Sequence, residues 1–171
     1  EGYTVQRTDA EGRVYDTWEK TPRSALRDLE VSFEISIAGE TIPLQAFAVE
    51  GFGNTELYLM EPKLEKHREM TRRLYCGQGK SRIAQEMILG MGGVRLLRAL
   101  NLPVELYHFN EGHALFAGFE LIREKMEAGL TYRQAFAATK AEVVFTTHTP
   151  VKAGNEIHQI SDLLEQGVGM D

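Results

Sequence analysis

The chain has 171 residues, 43% of them hydrophobic and 26% charged, with a net charge of −6. This is the make-up of a soluble globular domain with a core of its own, and it excludes a nucleic-acid surface, which needs clustered Lys and Arg against phosphates. The single cysteine, Cys76, excludes an internal disulfide and fits a reducing cytoplasm; no stretch reads as a signal peptide, and no apolar run reaches the roughly 18 residues of a membrane span.

Residues 1–30 are polar, with turn signals at Asp9 to Gly12 and at Thr21-Pro22, and are expected as peripheral hairpin or loop material. Residues 31–37 alternate apolar and polar with period two, a half-buried strand. Gly39-Glu40 turns it into a second strand over 42–49, and the short apolar run 57–60 makes a third. The three pair as a meander or join a main sheet; periodicity leaves both open. Residues 62–74 read as a helix, with Pro62 in its first turn and Glu69 within reach of Arg72 and Arg73. The basic excess from Lys63 to Arg82 is interleaved with Glu65 and Glu69, as on a solvated helix face.

A long helix is expected from Ser81 to about Leu100. Ile83, Met87, Ile88, Met91, Val94 and Leu97 make it apolar on most sides, hence buried. Gly90, Gly92 and Gly93 each cost a helix interior about 1 kcal/mol against Ala, and close approach of another backbone would compensate. Then come a strand over 104–109, a helix over 112–128, a second helix opened by the capping-box pattern Thr131 to Gln134, and a strand over 142–147. Two helices between two strands is the crossover that parallel pairing requires. The chain opens at Glu1 and ends on residues 167–171 without a closing element, so it is expected to be a piece of a longer protein.

Two segments carry the chemistry. One is Tyr107-His108-Phe109-Asn110-Glu111-Gly112-His113, the other Thr146-Thr147-His148-Thr149-Pro150. Each sits where a strand hands over to loop or helix, the edge at which open α/β sheets bind ligands, so one shared site is expected. The plain reading of the first is a well-capped helix, with Asn110 as N-cap and Glu111 in the first turn, where the helix dipole favours negative charge. Gly112 permits close backbone approach, and His113 would point toward the strand ends. Asn, Glu, His and free N–H groups together offer the donors and acceptors that sugar hydroxyls need. His108 is expected as a buried structural histidine. Pro150 biases Thr149 to extended backbone. His108, Glu111 and His113 do not have zincin spacing and lack a fourth ligand, so no metal site is expected. Cys76 has no local base, and the glycines at 90–93 do not make a phosphate-binding turn.

These two segments resemble those of the α-glucan (glycogen, starch, maltodextrin) phosphorylases, and their short bacterial and archaeal branch most of all. The helical stretch from Arg82 to Arg98 and the residues Val151 to Gly154 agree as well, and the resemblance is dense from about Leu74 to Gly154. It implies an α/β, Rossmann-like three-layer fold. The chain would be part of the N-terminal half of a two-domain GT-B glycosyltransferase, with residues 1–60 as peripheral loops and strands and 61–171 as helix-strand-helix units of the main sheet. It also implies phosphorolysis of α-1,4-glucan to α-glucose 1-phosphate, with pyridoxal phosphate on a Lys outside this chain and inorganic phosphate as co-substrate. Asn110, Glu111, Gly112 and His113 would line the glucose pocket with Thr147, His148 and Thr149, and Tyr75, Gly77 and Gln78 would lie in the gate loop. The gate reads Leu74-Tyr75-Cys76-Gly77-Gln78, not the common Leu-Tyr-Gly-Gly-Asp, and residues 155–158 depart from His-Asp-Arg-Phe. No catalytic set is complete here, and no cofactor-Lys or phosphate-binding segment is found, so the chain alone is expected to be inactive. The partners implied are the glucan, phosphate and the remaining domain; a homo-oligomer stays open. Two other readings are a nucleotide-sugar-dependent transferase of the same architecture and a non-catalytic glucan-binding module.

Overall fold

The computed structural model describes residues 2–20, 22–50, 53, 55–73, 77–151 and 155–168. Strands β1 (Gly2–Thr8) and β2 (Val14–Lys20) pair antiparallel as the expected hairpin. Its turn is built on Asp9, whose carboxylate accepts from the N–H groups of Glu11 and Arg13, the habit that makes Asp a turn residue.

Strands β3 (Leu26–Ile37), β4 (Glu40–Val49) and β5 (Tyr58–Pro62) form a separate antiparallel meander. The β3–β4 turn has two residues, Ala38 at φ 52° and Gly39 at φ 76°, a combination that matches the right-handed twist of a hairpin. The alternation then decides which face is covered: Ile35, Ile37, Ile42 and Leu44 are almost fully buried.

Residues 62–74 depart from the expected helix. Pro62 ends β5, opposite Leu44, and a 3-10 helix follows over Glu65–Thr71. Pro62 has no N–H to give, which an edge strand tolerates at its end. The Lys63 N–H then extends the ladder to the Pro43 carbonyl, delaying helix onset. The Glu69–Arg72 pair does form, at 3.0 Å. Leu74, Tyr75 and Cys76 lie outside the described residues.

The long helix is present as α1 (Lys80–Met87), a π-helical segment (Ile88–Gly92) and α2 (Gly93–Ala99) without a break. It lies over the meander, with Ile83, Ala84, Met87, Ile88 and Met91 completing the larger core. The close approach is real at Gly90: a Cβ there would sit 2.5 Å from the Ala117 nitrogen.

Strand β6 (Tyr107–Asn110) leads through a 3-10 turn (Gly112–Ala114) into α3 (Leu115–Glu127). Then come α4 (Tyr132–Glu142), with the capping box between Thr131 and Gln134, and β7 (Val143–Thr146). The two strands pair in parallel, Tyr107 opposite Val143 and Asn110 opposite Thr146. The ladder is shorter than expected because it holds only these four facing pairs; residues 104–106 lead into it as loop. A second core of Val94, Tyr107, Phe109, Ala117 and Leu121 fixes β6 between α2 and α3. α5 (Ile160–Gln166) closes the described fold. The chain is thus α/β, with an antiparallel meander and a parallel pair on either side of one helical layer.

Candidate functional site

The parallel register sets Asn110 beside Thr146, so both His-containing segments leave the sheet at one edge. Here the structure corrects the capped-helix reading. Asn110 ends β6, and no side chain caps the following turn. Glu111 stands instead at φ 57°, ψ −166°, a region sparsely populated by anything but glycine. Its N–H donates to the Thr146 carbonyl at 2.8 Å. Its carboxylate reaches across to the other segment, where Oε1 accepts from the N–H groups of His148 at 2.8 Å and Thr149 at 2.9 Å. The side chain is buried, with 5% of the residue exposed. The His148 N–H leads the groups that hold its carboxyl down at about 2, with further bonds from Thr149 and Thr147 outweighing burial. A carboxylate accepting several N–H bonds behaves in this way.

His113 enters a second constellation. Arg82, on α1, donates to His113 Nδ1 at 2.9 Å. A guanidinium has no lone pair to offer, so Nδ1 accepts and the neutral ring carries its proton on Nε2. The same guanidinium donates to Glu156 Oε1 at 2.7 Å and lies 3.1 Å from Glu86 Oε1. His158 Nε2 sits 2.8 Å from the other oxygen of Glu86. Burial pushes the Glu86 carboxyl up, against the opposing pull of His158 and Arg82.

Between the two constellations lies a cavity of about 160 Å³, lined among others by Glu86, Glu111, Gly112, Phe145, Glu156 and His158. Carboxylates alternate there with aromatic carbon. Such a surface receives hydroxyl donors and covers the C–H faces of a small polar ring.

No family model matches the chain. It is 32% identical over 174 residues to the maltodextrin phosphorylase of Thermococcus litoralis, across 95% of this chain and 21% of that protein. It is 35% identical over 171 residues to the glycogen phosphorylase of Mycobacterium tuberculosis, across 90% of this chain and 20% of that one. This chain is a relative of the α-glucan phosphorylases. An uncharacterized protein of Methanocaldococcus jannaschii is 31% identical over 172 residues, across 97% of this chain and 31% of its own length. The chain therefore spans about a fifth of the length of each of these two phosphorylases.

For a phosphorylase relative, the residues expected at the site are brought together in part. Glu111 joins His148 and Thr149 directly, Gly112 lines the cavity, and His113 turns to Arg82. Asn110 is exposed at the end of β6. His108 is exposed as well, where a buried histidine is expected, and its Nε2 meets Thr146 Oγ1 at 2.5 Å. At position 108 the strand's alternation turns the side chain away from the core that takes Tyr107 and Phe109. Tyr75 of the gate loop is outside the described residues. Gly77 and Gln78 are exposed just ahead of α1, whose preceding Gly79 lies near Asp162.

Sequence reasoning passed over Arg82, Glu86, Glu156 and His158. A signal was there: Arg82 and Glu86, four apart in a helix that is apolar on most sides, are charges that a buried helix has to pair. Glu86, Glu156 and His158 hold ligand atoms within 4.8 Å of one another. The Arg82 guanidinium already stands as the cation between both carboxylates, which makes this an ion-pair network in place of a metal seat. The three first weighed as ligands, His108, Glu111 and His113, turn to separate partners.

Proposed function

We propose that this chain forms the glucose-side wall of an α-glucan phosphorylase. In this reading it is part of the N-terminal, Rossmann-like domain of a two-domain GT-B transferase, working in the cytoplasm on α-1,4-glucan and inorganic phosphate to give α-glucose 1-phosphate. The observation that carries it is the joining of the Asn-Glu-Gly-His and Thr-His-Thr-Pro segments at one strand-end crevice through Glu111. Asn110, Gly112, His113, Thr147, His148 and Thr149 would face the terminal glucose, with Gly77 and Gln78 in the gate.

The chemistry of the wall divides the labour. Its carboxylates take hydroxyl donors, and Arg82 fixes the His113 ring beside them. Phosphate needs cations, so its site belongs to another part of the protein. The family's pyridoxal phosphate, when bound, supplies a phosphate group for proton transfer. The described cavity lining has three glutamates and no lysine and does not fit that cofactor. Electrostatic stabilisation and proton transfer are the larger part of such catalysis, and this wall alone is therefore inactive.

The test is an assay of the full-length protein, with and without pyridoxal phosphate, for glucose 1-phosphate from a linear α-1,4-glucan and phosphate. Cofactor-dependent product supports the reading. Absence of product together with absence of cofactor binding refutes it, and glucose 1-phosphate from the 171-residue chain alone would overturn the inactive-wall part.

A further inference from the structure

Resting on the phosphorylase reading, we propose that Glu111 is a positioning residue: it fixes the Thr147–His148–Thr149 loop as a wall of the crevice and does not itself exchange protons with the substrate. Three observations converge on this. The Glu111 backbone holds a conformation that an L-residue enters at a cost, and the strain persists because both ends of the residue are tied to the neighbouring segment. Its N–H is tied to Thr146, and one carboxylate oxygen collects the consecutive N–H groups of His148 and Thr149. The Thr147 and Thr149 side chains also help to hold the carboxylate ionised. The backbone donors of His148 and Thr149 are thereby both engaged with Glu111.

Two consequences follow. With these two N–H groups engaged by Glu111, neither is available to a ligand lying on the loop. The Glu111 carboxyl, held near 2, stays ionised at any working pH and is a poor base, whereas general acid–base groups work best with a pKa near the operating pH.

The experiment uses the full-length protein and the variants Glu111→Gln, Thr149→Val and the double variant. Amide exchange of His148 and Thr149 is measured without ligand, and kcat and KM for phosphorolysis are measured against pH. Glu111→Gln is expected to speed exchange of both amides by about tenfold, as loss of charge-assisted bonds implies, and to lower kcat/KM while leaving the acid limb of its pH profile in place. The double variant is expected to be no worse than Glu111→Gln alone, since both act through one unit. Thr149→Val keeps the backbone bonds and remains informative should Glu111→Gln fold poorly; a smaller rise in exchange is expected. Lost activity with unchanged exchange, or loss of the acid limb, would overturn the proposal. Exchange is read without substrate, so a protein lacking phosphorolysis would refute the functional reading and still leave the loop-holding role to be judged on its own.

Discussion

Gly90 is the point where the sequence, the packing and the site meet, and replacing it with alanine tests all three. The new Cβ would lie 2.5 Å from the Ala117 nitrogen, 2.9 Å from the Phe116 carbonyl carbon and 3.0 Å from the Phe116 Cβ. Two of these are backbone atoms, so no rotamer change relieves them. Ordinary contact requires α3 to retreat by about 1 Å in a close-packed core, at the upper end of the overpacking cost, about 3 kcal/mol. Alanine returns about 1 kcal/mol of helix propensity, leaving a net loss of about 2 kcal/mol. Gly93→Ala is the internal control: its Cβ would meet only Met60 Cε, at 3.9 Å. That variant is expected to gain up to about 1 kcal/mol from propensity alone. Urea unfolding midpoints at a common slope give both differences. A Gly90→Ala chain as stable as the parent, or a Gly93→Ala chain equally damaged, would refute close approach as the reason for Gly90. Because α3 follows directly on the Glu111–Ala114 turn, Gly90→Ala in the full-length protein should also weaken glucan binding, while Gly93→Ala should not.

Other expectations rest on single interactions. Glu120 is fully buried between Arg95, at 2.7 Å, and Arg123, at 2.6 Å; burial raises its carboxyl, and the two guanidiniums more than reverse this. Arg95→Ala leaves that charge with one partner and frees the Glu34 carbonyl, so a loss of about 3 kcal/mol in chemical unfolding is expected. Thr131→Ala removes the cap of α4, whose side chain accepts from the Gln134 N–H, and should cost about 1 kcal/mol, with Thr131→Ser near neutral. The Glu111 carboxyl is depressed from 4.5 to about 2 on folding. A depressed acid stabilises the fold above its unfolded value and loses that contribution as pH falls through its folded one. The stability gap between the parent chain and Glu111→Gln should thus be constant at neutral pH and close between about 4.5 and 2, as followed by circular dichroism. A gap that is the same at pH 2 as at pH 7 would contradict the bonding at Glu111.

Elements with a strong local period were legible. The period-two run at 31–37, the apolar run at 142–147, the capping box at Thr131 and the buried helix from 81 all formed within a few residues of expectation. The choice between meander and main sheet was not legible, because alternation reports a half-buried strand without naming its neighbour. Residues 62–74 failed for a different reason: Pro62 is as well suited to the end of an edge strand as to a helix start, and only pairing with Leu44 decides. The π-helical segment at Ile88–Gly92 carries no local signal beyond its glycines, since it answers to α3 crossing above it.

The site shows the same division. That the two His-containing segments share an edge followed from strand order alone, because a parallel pair places both C-terminal ends together. What each side chain does there depends on partners far along the chain, and local rules mislead for this reason. Glu one residue before a helix invites a dipole argument, yet that gain, a few tenths of a kcal/mol at an exposed helix end, is small beside several charge-assisted bonds in a buried position. The carboxylate therefore goes to residues 147–149 and takes its backbone with it, out of the helical region. His113, tied to Arg82 at 31 positions' remove, and His158, tied to Glu86 at 72, follow the same logic. In each case a buried charge selects the partner that best compensates its desolvation, and compensation is a property of the fold. Residue type at a strand end can thus indicate where a ligand meets this family of folds, while the direction in which each group points is settled by which buried charge has first claim on it.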